Sequence, residues 1–240
     1  MAYGRLFLIP SPLGEYDPAE VIPGPVLDRV RSIKRFVVEQ TRTARRYLSA
    51  AGLKGHVGEL EFRELNEHTK PDEVDSLLEM FSGPDGEPTD VGLISEAGLP
   101  AVADPGAALV ALCHQRGIQV VPFVGPSSLM LALMASGLNG QSFAFQGYLP
   151  AKPDERRKAI KDLEKRSSQL GQTELFIETP YRNDSMMADL LSSLQPSTRL
   201  CVAADITLPD ESIMTRTVKA WRADPVTIGK RPCVFLILAG

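Results

Sequence analysis

The chain has 240 residues, 43% hydrophobic and 23% charged. This balance excludes a disordered, collagen-like or coiled-coil main state and allows one large or two compact domains. A formal net charge of −4 supplies no overall attraction to nucleic acid or anionic membrane, so a polyanion would need a local basic patch.

The first apolar run, 6–9, is stopped by Pro10 and reads as a strand rather than a signal peptide. From there short apolar runs alternate with amphipathic segments, the pattern of an α/β protein. Strands are expected at 5–10, 35–39, 59–63, 91–95, 118–123, 143–146, 174–178, 199–204, 213–218 and 233–238, and helices at 43–51, 72–81, 106–116, 127–136, 154–168 and 181–194. The turn-rich stretch FSGPDGEPT, 81–89, is expected as an exposed loop without chemistry. Gly125-Pro126 punctuates the chain, giving domains 1–124 and 125–240. The first should hold a mostly parallel sheet. The second should hold a mixed one, with three or four strands and little helix in the last sixty residues. No apolar stretch approaches the roughly 20 residues of a membrane helix. Cys113, Cys201 and Cys233 are odd in number and far apart, which fits a reducing cytoplasm better than a disulfide scaffold or a zinc site.

Ligands of α/β proteins bind beyond the carboxyl ends of strands, and four loops there draw notice. The first, PSPLGE at 10–15, has two prolines that stiffen the backbone and remove two N–H donors. It is either a rigid strand exit or a ligand-facing turn. In SEAGLPAVADPG, 95–106, small residues let a ligand lie against the backbone, while Asp104-Pro105 reads as a helix cap. This loop has the spacing of neither a P-loop nor a dinucleotide fingerprint. VGPSS, 124–128, places two hydroxyls at a helix start, suited to capping or to an anionic group. ETPYR, 178–182, gathers an acid, a hydroxyl, a phenol and a guanidinium at a strand exit.

Seven ordered blocks, LIPSPLGE at 8–15, EQTRTARRYLSAAGL at 39–53, LNEH at 65–68, LISEAGLPAVADPG at 93–106, VPFVGPSSLMLALMASGL at 121–138, FQGYLPAK at 145–152 and ETPYR at 178–182, span nearly the whole chain. Together they resemble the tetrapyrrole methylase family of S-adenosylmethionine-dependent methyltransferases, most closely the branch that methylates a ribose 2′-hydroxyl of small-subunit ribosomal RNA. The resemblance implies two α/β domains with the cofactor in the cleft between them, and a homodimer. Carried over by position, cofactor contacts fall on Leu13, Ala97, Gly98, Leu99, Val102, Ser127, Ser128, Glu178 and Ile206. The chain departs from that branch at Glu15, where Asn is usual, at Gln40 and Glu96, where Asp is usual, at Ala204-Asp205-Ile206 in place of Arg-Glu-Leu, and at Arg231-Pro232 in place of Gly-Glu.

Methyl transfer needs alignment of donor and acceptor, and a hydroxyl acceptor needs somewhere to leave its proton. Glu39, Glu67, His68 and Glu178 are the candidate bases. Arg42, Arg45 and Arg46, with no nearby acid after Glu39, are the candidate phosphate contacts for RNA. The charges of 154–168 are expected to pair along their own helix at i, i+4 on a solvated face. Two other functions fit the blocks: C-methylation of a tetrapyrrole, or a catalytically silent cofactor-binding homodimer, suggested by the acids lost at Gln40 and Pro232. No metal is expected.

Overall fold

In the computed structural model, which describes residues 3–240, the first apolar run forms strand β1 (Leu6–Ile9), an inner strand of a five-stranded sheet. The chain separates into two compact units, dividing after Ser127. In the first, β1 is followed by α1 (Gly24–Ser32), β2 (Arg35–Val38), α2 (Thr41–Leu48), β3 (Glu61–Glu64), α3 (Pro71–Ser76), β4 (Val91–Ile94), α4 (Gly106–Gln115) and β5 (Val120–Pro122). The strand order is β3-β2-β4-β1-β5 and every pairing is parallel.

Successive strand residues face opposite sides, and both sides are covered. Phe7, Ile9, Phe36 and Val38 pack with Leu27 and Val30 of α1 and Ala44, Tyr47 and Leu48 of α2. Leu6, Val37, Val91 and Leu93 pack with Leu109, Leu112 and Cys113 of α4 and with Leu77, Met80 and Phe81 of the turn after α3. The chains leaving β1 and β4, which are neighbours, therefore depart to opposite faces of the sheet. That divergence opens a crevice at their carboxyl ends, where doubly wound sheets hold ligands.

The second unit contains α5 (Ser128–Ser136), β6 (Phe143–Tyr148), α6 (Pro153–Leu170), β7 (Thr173–Ile177), α7 (Asn183–Ser193), β8 (Arg199–Ala204), β9 (Ser212–Thr217), α8 (Val218–Ala223) and β10 (Cys233–Leu238). Its sheet runs β6-β7-β10-β8-β9, with β6 parallel to β7 and the other pairs antiparallel. Residues of α6, α7 and α8 join Phe176, Val202 and Phe235 in one core, and α5 lies against β8, β9 and β10. No helix of the described residues is long and apolar enough to cross a membrane.

All ten expected strands are present. The third begins at Glu61, not 59, because Val57–Glu59 form a 3-10 turn. Two helices were not expected. In α1, Pro23-Gly24-Pro25 reads as a turn, yet a proline is well placed in a first helical turn; α8 is only six residues long. α7 falls within the expected helix 181–194, and α8 adds a helix that was not expected in the last sixty residues.

The charges of α6 also differ from the expected i, i+4 pairing. Arg156 and Arg157 reach Asp189 of α7 at 2.7 and 3.0 Å, and Arg166 makes a bidentate pair with the buried Glu174 of β7 at 2.9 and 2.7 Å. The pairs within or beside the helix are Lys152–Glu155 and Arg157–Asp154, both at i, i+3, while Lys158, Lys161 and Lys165 stay in solvent. Desolvated carboxylates at 174 and 189 bind the arginines more strongly than exposed acids one turn away can.

Gly92 of β4 leaves room for its neighbours: a Cβ there would lie 2.6 Å from Ile9 Cδ1 and 2.8 Å from Phe36 Cδ1. Gly92→Ala should therefore destabilise the first unit by about 1–3 kcal/mol, the usual cost of overpacking. Denaturant unfolding checks this, and an unchanged midpoint would contradict it.

Candidate active site

The exits of β1 and β4 are joined by main-chain bonds. Ser11 N donates to Gly98 O at 2.8 Å and Gly98 N to Ser11 O at 3.0 Å, while Ser11 Oγ donates to Ser95 O at 2.9 Å. Gly98 holds φ +74°, a left-handed value natural to glycine, and a Cβ there would come within 3.3 Å of Leu13 Cδ2. From below, the Tyr47 hydroxyl donates to Pro10 O at 3.1 Å; burial pushes that phenol well above its ordinary value, so it stays a donor. The exit of β5 closes on the same point, since a Cβ on Gly125 would sit 2.2 Å from Pro10 Cγ. PSPLGE is thus a braced turn.

Further along the β4 exit, Ala101 and Ala103 adopt φ +65° and +59°. Left-handed alanines are strained and persist where their surroundings hold them. Here Asp104 is the staple, accepting from Ala101 N at 2.9 Å and Gly106 N at 2.7 Å. Asp104 is not the N-cap expected of it: Pro105 holds that position, and Asp104 reaches Gly106 N from one residue further out. Burial raises the Asp104 carboxyl pKa, its hydrogen bonds opposing the shift. The other left-handed non-glycine residues among those described are Asp205 and Thr207, in the exit of β8.

The candidate bases separate clearly. Glu39, at the end of β2, is half-buried; its Oε2 accepts from Glu96 N at 3.3 Å. Burial raises its pKa first of all, and the nearby charges of Asp104, Glu96 and Glu67 add to the rise. Glu67 and His68 are each 85% exposed, their side chains 3.7 Å apart in open solvent. The arginines of α2 correct an expectation. Arg46 has an acid partner, Glu15, at 2.8 Å, although 31 positions separate them in sequence. Arg45 lies over the Phe62 ring at 5.3 Å, and Arg42 is exposed.

Leu13 and Ala97 line one cavity of about 410 Å³ in the first unit, which α2 completes. Leu99 and Val102 continue the β4 exit, half-buried and exposed respectively. Ser127 ends the first unit and Ser128 opens α5 in the second.

In the second unit, register sets Ile177 opposite Val234 and Ala204 opposite Cys233, so the exits of β7 and β8 flank the entry to β10. Glu178 is buried there. Its Oε1 accepts from Thr179 N at 2.7 Å and Arg182 Nε at 3.0 Å, whereas Oε2 has no partner among the described residues. Ile206 is also buried at this end. Two features escaped sequence reasoning. Asn183, next to ETPYR, ties its Nδ2 to Gly229 O and Arg231 O at 3.0 and 2.7 Å, and Arg231 Nε donates to Asp205 Oδ2 at 2.5 Å. The Arg231–Asp205 pair joins two of the positions that depart from the family pattern, which was the available signal. Among the described residues no three His, Cys, Asp or Glu side chains are grouped to hold a metal.

The family model of the tetrapyrrole (corrin/porphyrin) methylases matches residues 40–221. The chain is 33% identical over 209 residues to ribosomal RNA small subunit methyltransferase I of Vibrio cholerae, covering 87% of this chain and 67% of that protein. It is 34% identical over 215 residues to the protein of the same name from Neisseria meningitidis, covering 90% and 68%. Among solved structures, uroporphyrin-III C-methyltransferase from Thermus thermophilus, complexed with S-adenosylhomocysteine, shares the fold at a TM-score of 0.59 and 17% identity, covering 98% of this chain and 97% of that one.

Because burial raises the Glu39 pKa, its ionised form destabilises the folded state. Glu39→Gln should raise Tm at pH 7. The gain should fade as pH drops through the raised folded value and vanish below the ordinary carboxylate value of about 4.3, where both states are protonated. Thermal melts from pH 3 to 7 check this; a gain independent of pH would contradict it.

Proposed function

The chain belongs to the tetrapyrrole methylase family, and on that premise we propose that it methylates a ribose 2′-hydroxyl of small-subunit ribosomal RNA. It is a methyltransferase that uses S-adenosylmethionine. The observation that carries the RNA acceptor is the 33–34% identity to relatives named for that substrate. Likeness to the tetrapyrrole enzyme at 17% identity is a likeness of fold. The same reading includes a cytoplasmic location and a homodimer; the exposed Met130 and Met134, four apart on α5, are the side chains a second copy would cover.

The residues present suit the cofactor. S-adenosylmethionine, when bound, supplies a methyl group already activated by its sulfonium. In the first unit Leu13, Ala97, Gly98, Leu99, Val102 and Ser127 would hold it, through backbone groups that the Ser11–Gly98 bonds and the Asp104 staple keep in place. In the second, Ser128, Ile206 and Glu178 would do so, with the unpartnered Glu178 Oε2 as a buried acceptor for a hydroxyl or ammonium donor. Glu39 takes the proton of the ribose hydroxyl at a carboxylate whose raised pKa makes it a better base than an ordinary glutamate. Exposed Arg42 binds phosphate.

Transfer of labelled methyl from the cofactor into small-subunit RNA should produce an alkali-resistant linkage at one nucleotide. Cofactor binding without incorporation into RNA or assembled subunits would contradict the proposal. Glu39→Gln should lower kcat by about 10²–10⁴-fold, the usual worth of a general base, while leaving cofactor affinity unchanged. The wild-type rate should rise with pH through a limb above the ordinary glutamate range, and the variant should lack that limb.

A further inference from the structure

The cavity of about 410 Å³ beside α2 is only partly explained by the cofactor. Leu13 and Ala97 belong to the loops assigned to it, but Thr43, Arg46, Tyr47 and Ala50 come from α2 and the turn that follows, where no cofactor contact is assigned. The interior is apolar and aromatic: Tyr47 and Ile94 are buried, and Tyr16 is half-buried with its hydroxyl accepting from Leu13 N at 3.2 Å. The rim is charged, since Arg46 and Glu15 are both exposed.

Helix geometry extends that rim. Arg42, Arg45 and Arg46 recur at i, i+3 and i+4, so they share the solvent face of α2, while Ala44, Tyr47 and Leu48 face the core. Arg42 has no ion-pair partner among the described residues. The Arg46–Glu15 pair is so exposed that it contributes little to stability, and a phosphate can replace Glu15. A basic track thus runs beside a cavity with an aromatic interior, the combination that binds a strand by its phosphates and one base by stacking.

We propose that this cavity receives a single unpaired nucleoside of the RNA strand, with the arginines of α2 holding the adjoining phosphates. The proposal rests on the RNA reading above. It makes the enzyme selective for single-stranded over paired RNA, because a base in a duplex cannot enter. It also gives Arg46 two successive partners, Glu15 in the free protein and phosphate in the complex.

The test uses the full chain, a fluorescently labelled unstructured ten-nucleotide RNA, its duplex with the complementary strand, and S-adenosylhomocysteine. Ala50 is exposed on the cavity wall, so Ala50→Trp fills the space without disturbing the core, and Ala50→Met fills it by less. Wild type should prefer the single strand to the duplex. Ala50→Trp should weaken single-strand binding about tenfold, the loss of one stacked base, and Ala50→Met by an intermediate factor, with S-adenosylhomocysteine affinity within twofold of wild type. If both variants bind the single strand as wild type does, or if wild type shows no preference for it, the cavity is not a nucleoside site and the RNA reading stands without it. If both variants lose S-adenosylhomocysteine in parallel, the cavity belongs to the cofactor and the proposal falls. Wild type that binds S-adenosylhomocysteine but neither RNA overturns the RNA reading and this proposal with it.

Discussion

The site depends on one short piece of backbone pairing, the two hydrogen bonds between Ser11 and Gly98. Strands β1 and β4 are parallel neighbours whose chains leave for opposite faces of the sheet, so without that pairing their exits would diverge. The pairing needs a residue at φ +74° and a close approach to Leu13, both of which glycine permits at 98. Pro10, fixed by the same turn, is the surface on which Gly125 closes. Three strand exits are thereby set by backbone and small residues, leaving peptide groups rather than long side chains to meet a ligand.

Strain and charge are arranged around that frame. The four left-handed non-glycine residues among those described fall in two exits, 101 and 103 after β4, 205 and 207 after β8. Each exit has a carboxylate partner holding it: Asp104 accepts from Ala101 N, and Glu211 accepts from Thr207 N at 2.8 Å. Glu39 is held by Glu96 N in a cluster of acids that raises its pKa, so the feature that suits it to accept a proton also costs stability. Several departures from the family pattern are absorbed locally: Glu15 pairs with Arg46, Asp205 with Arg231, and the Gln40 side chain accepts from Thr43 Oγ1 at 2.7 Å.

The strands were legible because each is an apolar run bounded by turn residues, and β8 and β10 match their expected limits. Helix α1 was not, since Pro23-Gly24-Pro25 is a turn signal whose helical use depends on packing Leu27 and Val30 against the sheet. That Asp104 bonds the start of α4 could be read from its own neighbours. The partnership of Arg46 with Glu15, or of Arg156 with Asp189, could not, because each joins residues more than thirty apart that only the tertiary fold brings together. For the same reason the local pattern left Glu39, Glu67, His68 and Glu178 all open as bases, whereas burial separates Glu39 and Glu178 from the exposed Glu67 and His68.

Hydrogen exchange with and without S-adenosylhomocysteine tests most directly whether this braced backbone is the cofactor site. Protection should rise on binding in the peptides covering 10–16 and 95–106. Binding that leaves those two exits unchanged while protecting other parts of the chain would contradict the account.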